Sequence, residues 1–104
     1  MTTLSTHVLD TATGEPAVGL DVRLDKAIAD GWEDIAFGST DEDGRAAGFG
    51  DLEPGTYRLA FATGPYGNEF YPVVQVVFVV EVSRDHYHVP LLLSPYGYTT
   101  YRGS

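Results

Sequence analysis

The sequence predicts an all-β fold, an antiparallel β-sandwich of two sheets in preference to a barrel, on three observations. Apolar and polar residues alternate with period two in several short runs. Turn-forming clusters separate those runs at intervals of about 8 to 12 residues. One run, "VVQVVFVVEV", is nearly continuous in valine, as expected of a strand covered on both faces.

Taken in order, "TLSTHVL" is rich in β-branched residues and half-alternating, which makes it a first strand. "LDVRLD" sets Leu20, Val22 and Leu24 against Asp21, Arg23 and Asp25, and "TYRLAFA" sets Tyr57, Leu59 and Phe61 against Arg58, Ala60 and Ala62. Both read as strands with one buried face. The valine run follows, and "HYHVPLLL" and "YTTYR" supply the last two strands. "TATGEPAVG", "ADGW", "TDEDG", "EPG", "TGPYGN" and "SPYG" lie between them as turns. A helical turn is expected around Gly67 to Tyr71, and Gly67 with its neighbouring prolines leaves room for no more than one short helix. About seven or eight strands result.

With 104 residues the chain is expected to be a single domain, burying roughly 65% of the surface its unfolded form exposes. Six basic against fifteen acidic residues give a formal charge of −9, which repels phosphate backbones and anionic lipid headgroups. Neither nucleic acid nor a membrane is an expected partner. An anionic small molecule would need a local cation to be held against this field. The absence of cysteine excludes disulfides, thiolate metal sites and a thiol nucleophile. No secretory n-region opens the chain, and "YPVVQVVFVVEV" is too short to span a bilayer, so the expected setting is cytoplasmic.

Strand periodicity assigns faces to the candidate chemistry. His86 and His88 share one face with Tyr87, Val89 and Leu91 opposite, Ser5, His7 and Leu9 share a face of the first strand, and Thr99, Tyr101 and Gly103 share a face of the last. Pro90 lacks an N–H, so its strand must carry a bulge or an unpaired donor position. A single strand histidine is an ordinary solvated residue, but a pair at i, i+2 invites two readings. With His7 it could complete a three-histidine zinc site, or it could serve as an acid/base pair in a metal-free pocket. Spacing does not decide between them. Two other motifs fall away. "STDEDGRAAGFG" places Ser39, Asp41, Asp43 and Gly44 as a calcium loop would, but its twelfth position is Gly50, so it reads as a turn with solvated carboxylates. Ser94 and Ser104 lack the nucleophile elbow of a serine hydrolase.

"LSTHVLDTATGEPAVGLDVRL", "TDEDGR" and "HYHVPLLLSPYGYTTYRGS" together resemble the three signature stretches of the 5-hydroxyisourate hydrolases, transthyretin-like enzymes of purine breakdown, over essentially the whole chain. Transthyretin, the hormone carrier on the same fold, keeps neither the "YRGS" ending nor the histidines, so the resemblance favours an enzyme over a non-catalytic small-ligand-binding module. It implies a prealbumin-like sandwich of two four-stranded sheets, assembled as a homotetramer, a dimer of dimers whose central channel holds the active sites. It also implies opening of the 5-hydroxyisourate ring to 2-oxo-4-hydroxy-4-carboxy-5-ureidoimidazoline by general acid/base catalysis, without a metal or other cofactor. Matched motif by motif, the catalytic residues are His7, Arg45, His88 and Ser104, and Tyr101 joins His7 and Arg45 in binding substrate. His86 lies outside that set, beside it, and Arg102 alternates to the far side of its strand as a structural or interface charge. The connection around "TGPYGNEFYP" is shorter than the family's usual one, and Val73 replaces a usual Glu. Those departures touch the short helix and the outer surface rather than the chemistry.

Overall fold

In the computed structural model, which describes residues 2–104, the alternation of "TLSTHVLD" becomes β1 (Thr3–Asp10), with Leu4, Thr6 and Val8 buried beneath it. The chain continues through β2 (Glu15–Pro16), β3 (Asp21–Ile28), β4 (Gly31–Ser39), β5 (Arg45–Ala47), β6 (Gly55–Phe61), α1 (Thr63–Tyr66), β7 (Val74–Val80), β8 (His86–His88), β9 (Leu91–Ser94) and β10 (Gly97–Thr100). Two sheets result, one of six segments around β1 and one of four in the order β4-β3-β6-β7.

The six-segment sheet is only four strands wide. β8 and β9 run along the same edge of β1, and β5 and β2 share the other, so each pair is one interrupted strand. β1 pairs with β8 and β9 in parallel, a departure from the antiparallel expectation, while all other pairings between strands are antiparallel. Pro90 causes the interruption between β8 and β9 without a bulge: Ser5↔His88 and Val8↔Leu91 keep one register on either side of it. Of the two consequences open to a strand proline, this is the unpaired donor position. The C-terminal strand behaves likewise. Its register on β9, Thr100↔Leu91, carries past Pro90 to the bridge His88↔Gly103.

Between the sheets lies a core in which Val8, Val22, Leu24, Leu59, Phe61 and Leu91 are fully buried. Each such side chain contributes roughly 1.5 to 3 kcal/mol over its exposed state. Buried Thr6 donates its hydroxyl to the Val89 carbonyl at 2.6 Å, which satisfies it in the apolar layer and ties β1 to the stretch that Pro90 interrupts.

Two expectations are corrected. β7 is an edge strand with one open face: Val74 and Val80 are buried, but Val77 and Val79 are 57% exposed. The valine content reports β propensity rather than burial on both sides. The helix precedes Gly67 instead of following it. Asn68 Oδ1 accepts from the N–H groups of Phe70 and Tyr71 at 3.1 and 2.7 Å, and this side-chain turn takes the donors a helix over 67–71 would need. "GWEDIAFGS", whose Gly31 and Trp32 the sequence reading places in the turn "ADGW", forms β4 against β3, with a bulge between Leu24 and Asp25.

That bulge sits at an ion cluster on the four-stranded sheet. The Asp25 side chain is wholly buried and accepts from Arg23 Nε at 2.9 Å and from Arg58 Nη2 at 2.7 Å, while the Arg58 guanidinium lies 4.3 Å over the Trp32 ring. Burial pushes the Asp25 carboxyl upward, but its hydrogen bonds from Arg23 and Arg58 outweigh this and hold it below the ordinary 3.8.

Candidate active site

The outward face of the six-segment sheet gathers the chemistry. β1 contributes His7, Ser5 and Thr3, since Leu4, Thr6 and Val8 point inward. Pairing then places Arg45 of β5 directly opposite His7, and His88 and His86 of β8 beside Ser5 and Thr3. Three segments far apart in sequence thus deliver two imidazoles and a guanidinium to one patch, with a third imidazole at its edge.

Arg45 is positioned by its turn. Asp41 Oδ1 accepts from the Asp43 and Arg45 N–H groups at 2.8 and 3.0 Å, and the Asp41 and Arg45 backbones bond again at 2.9 Å. These backbone hydrogen bonds, led by that from Arg45, hold the Asp41 carboxyl below its ordinary range. The calcium-like spacing of "STDEDG" therefore serves a side-chain turn. Gly44 is required within it: its φ is +76°, and a Cβ there would come within 2.6 Å of the Val8 carbonyl oxygen. Only glycine lets the turn approach β1 closely enough for Arg45 to pair with His7.

His88 is half-buried and held from two sides. Its Nδ1 lies 2.8 Å from Ser5 Oγ, and its backbone carbonyl accepts from Gly103 N–H at 2.7 Å. Burial pushes its imidazole below the ordinary 6.5, the neighbouring Arg45 guanidinium and the His7 and His86 imidazoles push the same way, and a bond to the Ser5 backbone opposes them in part. His88 is therefore neutral at pH 7 and able to accept a proton.

Gly103 of the terminal "YRGS" lies close against that ring. A Cβ at 103 would lie 2.6 Å from His88 Cδ2 and 3.3 Å from Cγ. Gly103→Ala is accordingly expected to push the imidazole off Ser5 and lower turnover by about 10 to 10²-fold, with the melting temperature almost unchanged. Steady-state kinetics beside a thermal melt would check this, and unaltered turnover would refute it.

Tyr101 lies across from Pro90 in the register set by Thr100↔Leu91 and His88↔Gly103, and it is exposed. Ser104 follows Gly103 and is exposed as well. Arg102 points toward a cavity of about 410 Å³ between β7 and the C-terminal strand, shared with Glu81, Phe78 and Tyr87, and makes no ion pair among the described residues. A second cavity, about 210 Å³, lies by α1 and Tyr96. Neither includes His7, Arg45 or His88, which sit on an open sheet face.

Among the described residues no three His, Cys, Asp or Glu side chains are grouped to hold a metal ion. Both nitrogens of His86 face hydroxyls instead, Nδ1 that of Thr3 at 2.5 Å and Nε2 that of Ser5 at 3.0 Å. Sequence reasoning missed Thr3, Ser5 and Gly103. The signal for Ser5 was present, since it shares a strand face with His7, but its neighbour across the sheet lies 83 residues away.

Fold and face together define a two-sheet sandwich with a His-Arg-His patch on one outward surface. The family model of the HIUase/Transthyretin family matches residues 4–103, and the chain belongs to this family. It is 48% identical over 111 residues to 5-hydroxyisourate hydrolase of Mus musculus, spanning 97% of this chain and 94% of that protein. The solved 5-hydroxyisourate hydrolase of Klebsiella pneumoniae aligns over 100% of both chains at a TM-score of 0.88 and 39% identity. Sea bream transthyretin in complex with thyroxine aligns over 96% of this chain and 93% of that one, at a TM-score of 0.89 and 34% identity. The backbone therefore fits a hydrolase and a thyroxine-bound transthyretin equally well. The side chains of the outward face must distinguish them.

Proposed function

We propose that this chain, as one domain over residues 1–104, hydrolyses 5-hydroxyisourate to 2-oxo-4-hydroxy-4-carboxy-5-ureidoimidazoline. The observation that carries the reading is the convergence of neutral His88 with His7 and Arg45 on one sheet face. Ring opening needs water made nucleophilic, a cation for the charge that grows on the carbonyl oxygen, and a proton for the leaving nitrogen. His88 takes a proton from water, and the hydroxide attacks the ring carbonyl. Arg45 holds the anionic ring and its developing oxyanion with a permanently charged fork, offsetting the chain's own negative field. The C–N bond then breaks as the leaving nitrogen takes, by way of His7, the proton that His88 drew from water, so that both imidazoles end the cycle as they began. Tyr101 and Ser104 orient the water by hydrogen bonds.

A flat patch is a poor small-molecule site, because such sites are concave. The missing walls fit a homotetramer, a dimer of dimers whose channel apposes these faces. β7 and the C-terminal strand, each unpaired along one edge, suit the dimer contact. A sedimentation run in which the main micromolar species is an 11.3 kDa particle would overturn this assembly. No helix of the described residues is long and apolar enough to cross a membrane, and a cysteine-free chain needs no oxidising compartment, so the proposed setting is the cytoplasm.

The test of function is the spectroscopic decay of 5-hydroxyisourate with and without the protein. Acceleration is expected, with the acid limb of the pH profile below 6.5 because His88 is depressed from that value. An unaltered decay would overturn the reading.

A further inference from the structure

Four side chains from two strands form a two-by-two array of hydroxyls and imidazoles. Parallel pairing sets Thr3 beside His86 and Ser5 beside His88. The contacts run in one line: Thr3 Oγ1 to His86 Nδ1, His86 Nε2 to Ser5 Oγ at 3.0 Å, and Ser5 Oγ to His88 Nδ1 at 2.8 Å. Ser5 Oγ has no third partner among the described residues, and a hydroxyl has a single proton to donate. That proton goes to one ring, and the other ring must donate back.

We propose that His86 is a positioning residue for His88, acting through Ser5 to set which nitrogen of His88 carries its proton. The inference rests on the catalytic reading above. For His88 to serve as base through Nε2, its proton must lie on Nδ1, which donates to Ser5. Ser5 then donates to His86 Nε2, so the His86 proton lies on Nδ1 and is given to Thr3. The reverse polarity would place the His88 proton on Nε2 and leave it without a lone pair for water. His86, on this account, keeps the line running in the productive direction, the role a hydrogen-bonded partner plays for any working imidazole. His88 is also faced by His7 from β1 and Arg45 from β5. Neither bonds its Nδ1 among the described residues, so Ser5 is the group that sets the tautomer.

Two measurements test this. Nitrogen-15 NMR of the imidazoles, in the folded chain without substrate, should show His86 and neutral His88 protonated on Nδ1. Ser5→Ala should let His88 populate the other tautomer, and Ser5→Thr, which retains a hydroxyl, should restore the parent pattern. In kinetics, Ser5→Ala and His86→Phe should each lower kcat by about 10 to 10²-fold with KM within about twofold. Both should shift the acid limb of kcat in the same direction, and the double variant should be no worse than either single one. His88 already protonated on Nε2 in the parent, a tautomer untouched by Ser5→Ala, or multiplicative losses would overturn the proposal. Should Ser5→Ala fail to fold, His86→Phe and the parent spectrum still decide. If the parent does not hydrolyse 5-hydroxyisourate, the catalytic reading fails, whereas the tautomer measurement still reports on the array alone.

Discussion

His88→Asn is expected to slow hydrolysis of 5-hydroxyisourate by on the order of 10² to 10⁴-fold while the oligomeric state and melting temperature stay nearly unchanged. Asparagine is polar and of similar reach, so the Ser5 hydroxyl keeps a partner and Gly103 keeps its backbone bond to residue 88. What it lacks is a group that takes up a proton near neutral pH. The half-buried His88 is neutral in the fold, so little charge energetics is lost with it. Initial rates corrected for the spontaneous decay of the substrate would measure the effect, beside a thermal melt. Deleting Ser104 should also slow turnover at unchanged stability, because a chain end is usually dispensable to folding. Parent rates in both variants would make the terminal stretch structural and the catalytic assignment wrong.

Asp25→Ala is expected to act in the opposite sense, destabilising the fold by about 3 to 5 kcal/mol with turnover unaltered wherever the protein remains folded. The carboxylate is fully buried, and Arg58, with its side chain only 18% exposed, would keep its charge beside Trp32 with no partner. Urea unfolding at pH 7 would read the loss, and a difference under about 1 kcal/mol, the range of an exposed pair, would refute it. The effect also has a pH signature. Because the folded carboxyl lies below the ordinary 3.8, its contribution is fully present above 3.8 and disappears as pH falls through the folded value. Parent and variant should therefore converge in stability in strong acid.

Much of the fold was legible because period two is a local property. β1, β3 and β6 read directly from alternating residues, and Val22, Leu24, Tyr57, Leu59 and Phe61 are buried as alternation assigned, whereas Asp25 and Ala60, set on the opposite face, are buried as well. β4 was hidden because "GWEDIAFGS" belongs to an outer strand whose bulge breaks the pattern. β7 misled because valine favours strands whether or not both faces are covered. For the patch, sequence motifs named His7, Arg45 and His88, and alternation set Ser5 on the face of His7, yet Thr3 and Ser5 gain their meaning only from a strand more than 80 residues away.

By itself, then, the sequence determined which residues could share a strand face, that thiol chemistry was absent, and that an anionic ligand would need one of only six cations. The tertiary structure decided which faces meet. Parallel pairing of β1 with β8, held in one register across Pro90, set hydroxyls beside imidazoles, and the close approach of Gly44 brought Arg45 opposite His7. Side-chain alternation is fixed by the chain's own geometry, whereas register between distant strands is fixed by the core they jointly bury, and a one-residue slip would turn every one of these groups inward.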